Sequence, residues 1–481
     1  MNKQTSFLCK FLICFTLIII NNTHVKAQTN TPKPNIIVIL ADDLGWGDVG
    51  FHKSDVKTPN IDQLAKDGML LSRFYTSPIC SPTRAGIMTG RYPDRFGLRK
   101  NVIPPWSDFG VPTTEVFLPQ FLAKAGYTNR IALGKWHLGH SNKKFLPLSR
   151  GFTHFYGHYN GAIDYFTHVR EGELDWHNDW KTSSDKGYTT DLLAKEAINT
   201  IKKINKEEPF FMYIAFNAPH TPLQAKKEDL LLYGFDENKP KIAQQAGYSS
   251  YGRGNTERQT YAAMVSNMDA NIGKILRTLD SLQLTQNTLV LFMSDNGANN
   301  HGGGSSGALR GHKFQEWEGG VRSPAIMKWP AQLKPGTINN QLMGYVDLVP
   351  TLMAVAGVKP TEIQHLPFDG INVLPELLDT RKQISRSLYL GYGSLIYDNW
   401  KLITAHAGNA QMKARKNQFF NVVTDPSEKR NIISSNPKKV HILKGLLQKY
   451  DSIKPLQTVP PYGKGRATFI APKEWKILTE E

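Results

Sequence analysis

The chain has 481 residues, of which 40% are apolar and 21% charged, and 58 Lys and Arg against 41 Asp and Glu give a formal charge of +17. This composition is typical of a globular protein and excludes a collagen-like, low-complexity or mostly disordered chain. The length suits one large α/β domain with a smaller one, so neither a disulfide nor a metal is needed merely to fold.

Residues 1–27 predict a signal peptide. Lys3 and Lys10 precede a largely apolar run over residues 11–20, and a small-residue cleavage site ends at Ala27. That run is short for a membrane span, although an N-terminal anchor is the alternative, and no later segment is long and apolar enough to span. We therefore expect an exported protein, periplasmic or secreted, with no membrane span in the mature chain.

The excess of basic residues favours a polyanionic partner, although it also serves solubility alone. Acidic polysaccharide is a better candidate than nucleic acid, because an exported chain without a nucleic-acid-binding motif gives no reason to expect DNA or RNA. Cleavage after Ala27 leaves Cys80 as the single cysteine, which excludes an internal disulfide. Cys80 is then either a small buried hydrophobe or a reactive or modified group.

Four short, unalternating apolar runs predict strands that are buried on both faces of a sheet. Each run leads into polar residues: 35–41 into Asp42 and Asp43, 130–134 into Lys135 and His137, 209–216 into His220, and 288–294 into Asp295 and Asn296. Helical patterns lie between them, over residues 119–125, 191–203 and 261–279. Since ligands bind outside the carboxyl ends of the strands in such α/β sheets, we expect the four polar groups to meet in one site.

The organisation changes near residue 380. Beyond it, strand-like pieces separated by turn residues occupy residues 387–391, 400–405 and 419–423. We therefore predict a catalytic domain over residues 28–380 and a small α+β subdomain with an antiparallel sheet over residues 381–481. The glycine- and serine-rich residues 301–307 follow Asp295-Asn296 closely, which predicts a mobile loop at the site.

The lone cysteine belongs to the sequence Cys80-Ser-Pro-Thr-Arg84. Pro82 suits the first turn of a helix, which would place Cys80 at the helix N-terminus, beside free amide donors that attract anions. Arg84, four residues on, would share its face. This pattern, with Thr89-Gly-Arg91 after it, resembles the signature of the type I, formylglycine-dependent sulfatases. The resemblance includes four further blocks of the same family, which occur in order along the chain at residues 41–45, 134–139, 294–297 and 318–322.

The resemblance implies the alkaline-phosphatase-like sulfatase fold: a large, mostly parallel sheet between helices, with a small C-terminal antiparallel sheet. It also implies that a separate sulfatase-maturating enzyme converts Cys80 to formylglycine (3-oxoalanine) before export. Asp42, Asp43, Asp295 and Asn296 offer only oxygen donors, which suits Ca²⁺, with Mg²⁺ as the second choice, rather than zinc. Turns or helix caps are the alternative for each pair. The resemblance adds the modified Cys80 to this metal site.

Sulfate monoester cleavage relies on positioning and on cationic stabilisation of the non-bridging oxygens, as phosphoryl transfer does. The resemblance implies that one hydroxyl of the hydrated aldehyde at position 80 attacks sulfur, while Arg84 and the metal stabilise the oxyanion. His137 takes the proton from the second hydroxyl, which expels sulfate and restores the aldehyde. The same resemblance implies that Lys135 and Lys313 hold sulfate oxygens and that the remaining catalytic residue, His220, protonates the departing sugar oxygen.

The substrate side resembles the arylsulfatase B branch, in residues 145–152, 164–168 and 316–320. That branch removes 4-sulfate from N-acetylgalactosamine ends of glycosaminoglycans, which implies an exo-acting sulfatase on a galacto-configured sugar of sulfated oligo- or polysaccharide. Contacts to that sugar are expected from Asp164, Tyr165, His168 and Trp317, with core packing as the alternative for the aromatic rings. Two other functions stay open: a phosphonate or phosphate ester hydrolase of the same fold, and a catalytically silent protein that binds sulfated glycans.

Overall fold

The computed structural model describes residues 32–99, 101–405 and 408–476. The predicted signal peptide, residues 1–27, lies outside these described residues. The strands are β1 Asn35–Ala41, β2 Met69–Leu71, β3 Phe74–Tyr75, β4 Asn129–Lys135, β5 His154–His158, β6 Val169–Arg170, β7 Glu173–Leu174, β8 His177–Asn178, β9 Lys181–Thr182, β10 Phe210–Ala215, β11 Thr288–Ser294, β12 Ala325–Lys328, β13 Thr337–Asn339, β14 Met343–Gly344, β15 Ser387–Gly391, β16 Ser394–Tyr397, β17 Trp400–Ile403 and β18 Gln418–Asn421.

The helices surround these strands. They are α1 Pro59–Asp67, α2 Cys80–Thr89, α3 Leu118–Lys124, α4 Thr189–Lys203, α5 Lys227–Leu231, α6 Glu257–Ser281, α7 Glu318–Val321, α8 Leu348–Ala356, α9 Leu374–Leu378 and α10 Pro437–Asp451. Within the described part of the chain, none of them has the length and apolarity that crossing a membrane requires.

A ten-stranded sheet in the order β13-β2-β12-β11-β1-β10-β4-β5-β8-β9 forms the centre of the molecule. Its middle strands, from β11 to β5, pair in parallel, whereas β12 runs antiparallel to both β11 and β2. The buried side chains of β1 alternate between two apolar clusters, with Ile36, Val38 and Leu40 on one face and Ile37 and Ile39 on the other. Helices cover both faces, so the run shows no polar alternation.

The register of the parallel strands brings their carboxyl ends to one edge. Ala41 pairs with Ser294, and Leu40 pairs with Ala215, which in turn pairs with Gly134. The residues that follow these four strands therefore emerge side by side. This confirms the fold class predicted from the sequence and explains why distant motifs share a site.

A four-stranded antiparallel sheet, in the order β15-β16-β17-β18, forms the C-terminal part, with α10 packed against it. The sequence predicted β15, β17 and β18 but missed β16, because this four-residue strand follows β15 through the tight turn at residues 391–394. The small antiparallel sheet is confirmed. The domain boundary near residue 380 stays a prediction.

Candidate active site

Cys80 is the first residue of α2, and the preceding Ile79 is extended. Pro82 lies in the first turn, where its missing N–H costs nothing. The side chain of Cys80 is buried, and its Sγ atom lies 3.5 Å from Nδ1 of His137. Burial raises the pKa of the Cys80 thiol. His137 adopts a left-handed backbone with φ 58°, a strained conformation of the kind that concentrates at functional sites.

The oxygen donors after β1 and β11 form a compact acidic cluster. Asn296 donates its Nδ2–H to Oδ1 of Asp43 at 2.8 Å, and the Asp43 backbone N–H donates to Oδ1 of Asp295 at 3.3 Å. Oδ1 of Asp42 and Oδ1 of Asn296 are buried without a hydrogen-bond partner among the described residues. A buried unsatisfied oxygen costs about 1–3 kcal/mol.

These open acceptors test whether a metal ion fits. Donor atoms of Asp42, Cys80 and Asp295 lie within 4.8 Å of one another, as do those of Asp42, Asp43 and His220. Carboxylate and amide oxygens with unused lone pairs suit a hard cation such as Ca²⁺. The donor set therefore fits the predicted metal site, and the unpaired oxygens of Asp42 and Asn296 are the atoms that such an ion would satisfy.

Three buried cations face the three carboxylates. Nη2 of Arg84 lies 2.8 Å from Oδ2 of Asp295, Nζ of Lys135 lies 2.5 Å from Oδ2 of Asp42, and Nζ of Lys313 lies 2.6 Å from Oδ1 of Asp43. Charges of opposite sign are thus matched one to one, which offsets part of the cost of removing them from water.

The pKa values of two carboxyls diverge within this cluster. Burial opposes ionisation of Asp43, but the charges of Lys313 and His220 hold its pKa below the usual range. Burial and the neighbouring Asp42 charge raise the pKa of Asp295 to about 6, against the effect of Arg84. A divalent cation among these oxygens would favour the ionised form of both carboxyls.

Hydrogen bonds settle which nitrogen of each histidine carries a proton. Nε2 of His137 lies 3.0 Å from the Ile103 carbonyl oxygen, and Nδ1 of His220 lies 2.6 Å from the Thr221 carbonyl oxygen. Because a carbonyl only accepts, each of these nitrogens is the donor. Nδ1 of His137 is left as an acceptor facing Cys80, and Nε2 of His220 is the nitrogen 3.8 Å from Oδ2 of Asp43.

Burial lowers the pKa of both histidines. The pKa of His137 falls well below its ordinary value, through burial and then the charges of Lys135 and Arg84. Burial lowers the pKa of His220 to about 3, although the Asp43 carboxylate opposes this. An anionic ester bound beside His220 would raise its pKa again, because a nearby negative charge favours the imidazolium.

Four of the predicted catalytic residues line one cavity of about 490 Å³: Cys80, His137, His220 and Lys313. This volume falls within the range of about 300–1,000 Å³ for small-molecule sites. Arg84 and Lys135 lie buried behind the wall, where they hold carboxylates of the acidic cluster. Sequence reasoning missed a further set of cavity-lining polar residues, because they come from unrelated segments without a local motif: Asn101, Arg170, Tyr248, Tyr392, Asn409 and Tyr462.

The structure does not place the four predicted sugar-contacting side chains on this cavity wall. The Asp164 carboxylate accepts from the Gln224 amide at 2.8 Å, and the Nε2 atom of His168 bonds the Gly187 carbonyl at 2.9 Å. The Tyr165 hydroxyl donates to the carbonyl of His220 at 2.8 Å. In the structure these side chains make hydrogen bonds within the protein, and direct sugar contact from them stays a prediction.

Trp317 also makes contacts within the protein. Its Nε1–H donates to Oε1 of Gln418 at 3.2 Å, and the guanidinium of Arg310 lies 4.0 Å from its ring centre. One face of this half-buried ring is therefore covered by Arg310. These contacts agree with the core-packing alternative for Tyr165 and Trp317, and a sugar contact from either ring stays a prediction.

A family model described as "Sulfatase" matches residues 34–358, and a second, "N-sulphoglucosamine sulphohydrolase, C-terminal", matches residues 312–454. The chain belongs to the sulfatase family of sulfuric ester hydrolases. Residues 455–476 follow the last residue that either model matches.

Individual relatives agree with this placement. Human N-acetylgalactosamine-6-sulfatase is 35% identical over 373 residues, which cover 72% of this chain and 66% of that protein. Human arylsulfatase A is 34% identical over 376 residues, 74% of this chain and 70% of that protein. The chain thus spans about two thirds of the length of these curated relatives.

A solved structure, Ps i-CgsB in complex with k-i-k-neocarrahexaose, is similar over 91% of this chain and 96% of that one, with a TM-score of 0.77 and 33% identity. This likeness confirms the predicted sulfatase fold. Placement within the arylsulfatase B branch stays a prediction.

Proposed function

We propose that this chain is an exported sulfatase that hydrolyses sulfate monoesters of sulfated carbohydrate, exo-acting on a galacto-configured sugar, through a formylglycine made from Cys80. The observation that carries the proposal is the position of Cys80, at the start of α2 and within reach of both His137 and the acidic cluster. The signal-peptide pattern of residues 1–27 supports export. Conversion of Cys80 needs a maturating enzyme as partner.

When present, the formylglycine supplies an oxygen nucleophile for sulfur, and a Ca²⁺ held by Asp42, Asp43, Asp295 and Asn296 supplies positive charge beside it. Arg84 has two fixed partners, Asp295 Oδ2 at 2.8 Å and the Lys135 carbonyl at 3.0 Å, so its guanidinium is held behind position 80. An arginine fixed in this way stabilises charge without reorganising during the reaction.

His137 is the proton acceptor for an oxygen at position 80. Its Nε2–H is used by the Ile103 carbonyl, its pKa is lowered, and its free Nδ1 lies 3.5 Å from the Cys80 sulfur. A neutral imidazole with its lone pair aimed at the reacting group is the form that a general base requires.

Lys313 and His220 act on the ester itself. Lys313 lines the cavity while Asp43 holds its Nζ, so the ammonium can bind a sulfate oxygen with little loss of side-chain freedom. His220 presents Nε2, and once a bound sulfate raises its pKa, this nitrogen can donate a proton to the leaving sugar oxygen. Lys135, paired with Asp42 behind the wall, keeps the acidic cluster neutralised and supports binding of the sulfate oxygens.

The carbohydrate assignment rests on similarity and on size. The names of the relatives include an N-acetylgalactosamine-6-sulfatase and a structure in complex with k-i-k-neocarrahexaose. A cavity of about 490 Å³ suits a chain end of one or two sugar units better than a long internal segment. We therefore infer removal of sulfate from terminal units of sulfated oligosaccharides.

The test is inorganic sulfate release from defined sulfated oligosaccharides, after mass spectrometry has established conversion of Cys80. The panel contains terminal 4-sulfated and 6-sulfated galactose and N-acetylgalactosamine, with Cys80→Ala as the blank. Release from a terminal unit supports the proposal and identifies the sugar. Faster release of phosphate from phosphate or phosphonate esters would replace it with the ester-hydrolase alternative. If the protein bound sulfated glycans equally well with and without conversion of Cys80 but released no sulfate, it would be a catalytically silent glycan-binding protein.

A further inference from the structure

The last described segment of the chain, residues 455–476, returns from the C-terminal part to the cavity, and we name it the C-terminal strap. Its first anchor is near residues 97–106. The backbone N–H of Val459 donates to the Gly97 carbonyl at 2.9 Å, and the indole N–H of Trp106 donates to the Tyr462 carbonyl at 2.6 Å. The rings of Trp106 and Tyr462 also meet edge to face, with centres 5.1 Å apart.

The second anchor lies at the other end of the strap. Trp475 is only 1% exposed, and its indole N–H donates to the backbone carbonyl of Arg170 at 3.0 Å. The backbone N–H of Glu474 donates to the Glu173 carboxylate at 2.9 Å. The strap is therefore fastened directly to the β6–β7 hairpin, whose residue Arg170 lines the active-site cavity.

At its first anchor, the strap contributes Tyr462 to the cavity wall, which Arg170 and Tyr248 also line. Tyr462 is 43% exposed, so part of this side chain is open to solvent at the cavity. The Arg170 guanidinium donates to the Tyr248 hydroxyl and pairs with Glu171 at 3.3 Å. Its Nε–H is buried and has no hydrogen-bond partner among the described residues.

The charge of the strap points to an anionic ligand. It carries Lys464, Arg466, Lys473 and Lys476 against the single acid Glu474. A surplus of positive charge beside a cavity raises the local concentration of a polyanion and speeds its capture. An aromatic face together with an arginine donor suits a sugar ring with an anionic substituent.

We propose that the C-terminal strap, with Arg170 and Tyr248, forms the subsite for the sugar unit next to the one that loses its sulfate, and that this neighbouring unit carries an anionic group bound by Arg170. The inference rests on the proposed function and deepens it. Tyr462 packs on the sugar ring, while the Arg170 guanidinium binds either a second sulfate ester or a carboxylate. The strap thus makes the enzyme prefer charged oligosaccharides over small sulfate esters.

The binding test uses protein with Cys80→Ala, so that no turnover interferes. Calorimetry measures the Kd of three disaccharides with the same sulfated terminal sugar, whose second unit carries a sulfate, a carboxylate or neither. Tyr462→Ala should weaken binding of all three about tenfold, a loss of about 1.4 kcal/mol. Arg170→Gln should weaken by about tenfold only those with the anionic group that it binds.

Matched controls exist elsewhere on the surface. Tyr251→Ala removes an exposed tyrosine, and Arg381→Gln removes an exposed guanidinium, and neither residue lines this cavity. Both should leave every Kd unchanged. Thermal unfolding identifies any misfolded variant, and because Tyr462 is exposed, its variant keeps the test decisive if Arg170→Gln fails to fold. Unchanged Kd values for Tyr462→Ala, or equal losses for charged and uncharged ligands in Arg170→Gln, would overturn the proposal.

Turnover separates this proposal from the proposed function. In converted enzyme, Tyr462→Ala should lower the ratio of kcat/KM for the charged disaccharide to kcat/KM for 4-nitrophenyl sulfate by about tenfold. An unchanged ratio would contradict the role of the strap. Absence of any sulfate release by the wild type would instead contradict the proposed function. The Kd values of the Cys80→Ala proteins would still show whether the strap forms the subsite.

Discussion

Two clusters in this molecule pair buried carboxylates with buried cations, but only one of these two clusters reaches the cavity. The active-site cluster matches Asp42, Asp43 and Asp295 with three cations at the carboxyl edge of the large sheet. The enclosed cluster places Lys401 of β17 at 3.0 Å from both Glu318, at the start of α7, and Glu428. Both bury their ionic groups almost completely, so burial of charge alone does not distinguish them.

The difference lies in what the clusters leave open. In the active-site cluster, the buried Oδ1 atoms of Asp42 and Asn296 have no hydrogen bond to any described residue, and Lys313 reaches from the cluster to the cavity. In the enclosed cluster the three side chains are fully buried and do not line that cavity. Oε1 of Glu428 lacks a hydrogen bond among the described residues but is ion-paired with Lys401 at 3.0 Å, and Glu318 accepts a hydrogen bond from the Tyr75 hydroxyl at 2.8 Å. Open acceptors beside a cavity therefore mark a site for ligands, whereas an enclosed ion pair joins structural elements.

Among substitutions outside position 80, His220→Ala is expected to have the largest effect on carbohydrate turnover. Loss of a general acid typically costs 10²–10⁴-fold, and we expect about 10³-fold on kcat for sulfated sugars. The loss on 4-nitrophenyl sulfate should be at least tenfold smaller, because nitrophenolate leaves without protonation. Steady-state kinetics on both substrates checks this. Equal losses would assign His220 to sulfate binding rather than proton donation.

Lys401→Met tests the enclosed cluster. It leaves Glu318 and Glu428 buried without their cation, so the free energy of unfolding should fall by about 3–5 kcal/mol. Denaturant unfolding measures this loss. The kcat of the enzyme that remains folded should stay within about twofold of wild type, since no residue of this cluster lines the cavity.

Lys313→Met makes the matched change in the active-site cluster. It also removes a buried cation from a carboxylate, but this cation reaches the ester, so kcat/KM should fall by about 10²-fold or more. Sulfate release by protein with a verified degree of Cys80 conversion is the readout. If Lys401→Met and Lys313→Met lowered kcat alike, the contrast between the two clusters would be wrong.

Calcium should stabilise the protein through the active-site cluster alone. At a free concentration of about 100 times its Kd, Ca²⁺ should add about 2.7 kcal/mol to the free energy of unfolding of chelator-treated protein. Calorimetric melting with and without Ca²⁺ measures this. Asp295→Asn should abolish most of the response, whereas Glu318→Gln in the enclosed cluster should retain it. A response that survives Asp295→Asn would place the ion elsewhere.

The smallest effect concerns Glu316, a buried carboxyl whose two oxygens accept the Asn409 amide at 2.8 and 2.9 Å. Burial raises its pKa to about 8, against these hydrogen bonds. Because the folded state binds the proton more tightly, this group makes stability fall as pH rises from about 5 to 8. Glu316→Gln should therefore gain stability relative to wild type as the pH rises from 5 to 9. Melting curves across this range check it, and a constant difference would refute the assignment.

Much of the sheet could be predicted because its middle strands are buried on both faces. Residues 35–41 and 288–294 are strands in the structure with the predicted bounds. The antiparallel strands β2 and β12 could not be found in this way, since three or four residues carry too little periodicity. Their positions in the sheet are set by pairing with strands that are distant in the sequence.

The residues of the candidate site also fall into two groups, those that a local sequence pattern predicts and those that it does not. Polar residues at the carboxyl ends of the strands could be expected to converge, and the structure brings them together around Cys80. Arg170, Tyr248 and Tyr462 come from three separate segments that meet only through the strap and the β6–β7 hairpin. No local pattern distinguishes such residues from surface side chains, just as none distinguishes Lys401 from a solvated lysine.

The role of a formylglycine made from Cys80 is tested most directly by measuring how activity depends on modification at position 80. Batches produced with graded amounts of a sulfatase-maturating enzyme would be assayed for sulfate release, and the converted fraction of Cys80 would be measured by mass spectrometry. Specific activity should rise in proportion to the converted fraction, and it should vanish at zero conversion and in Cys80→Ala. Activity that is independent of conversion would contradict this role of the formylglycine.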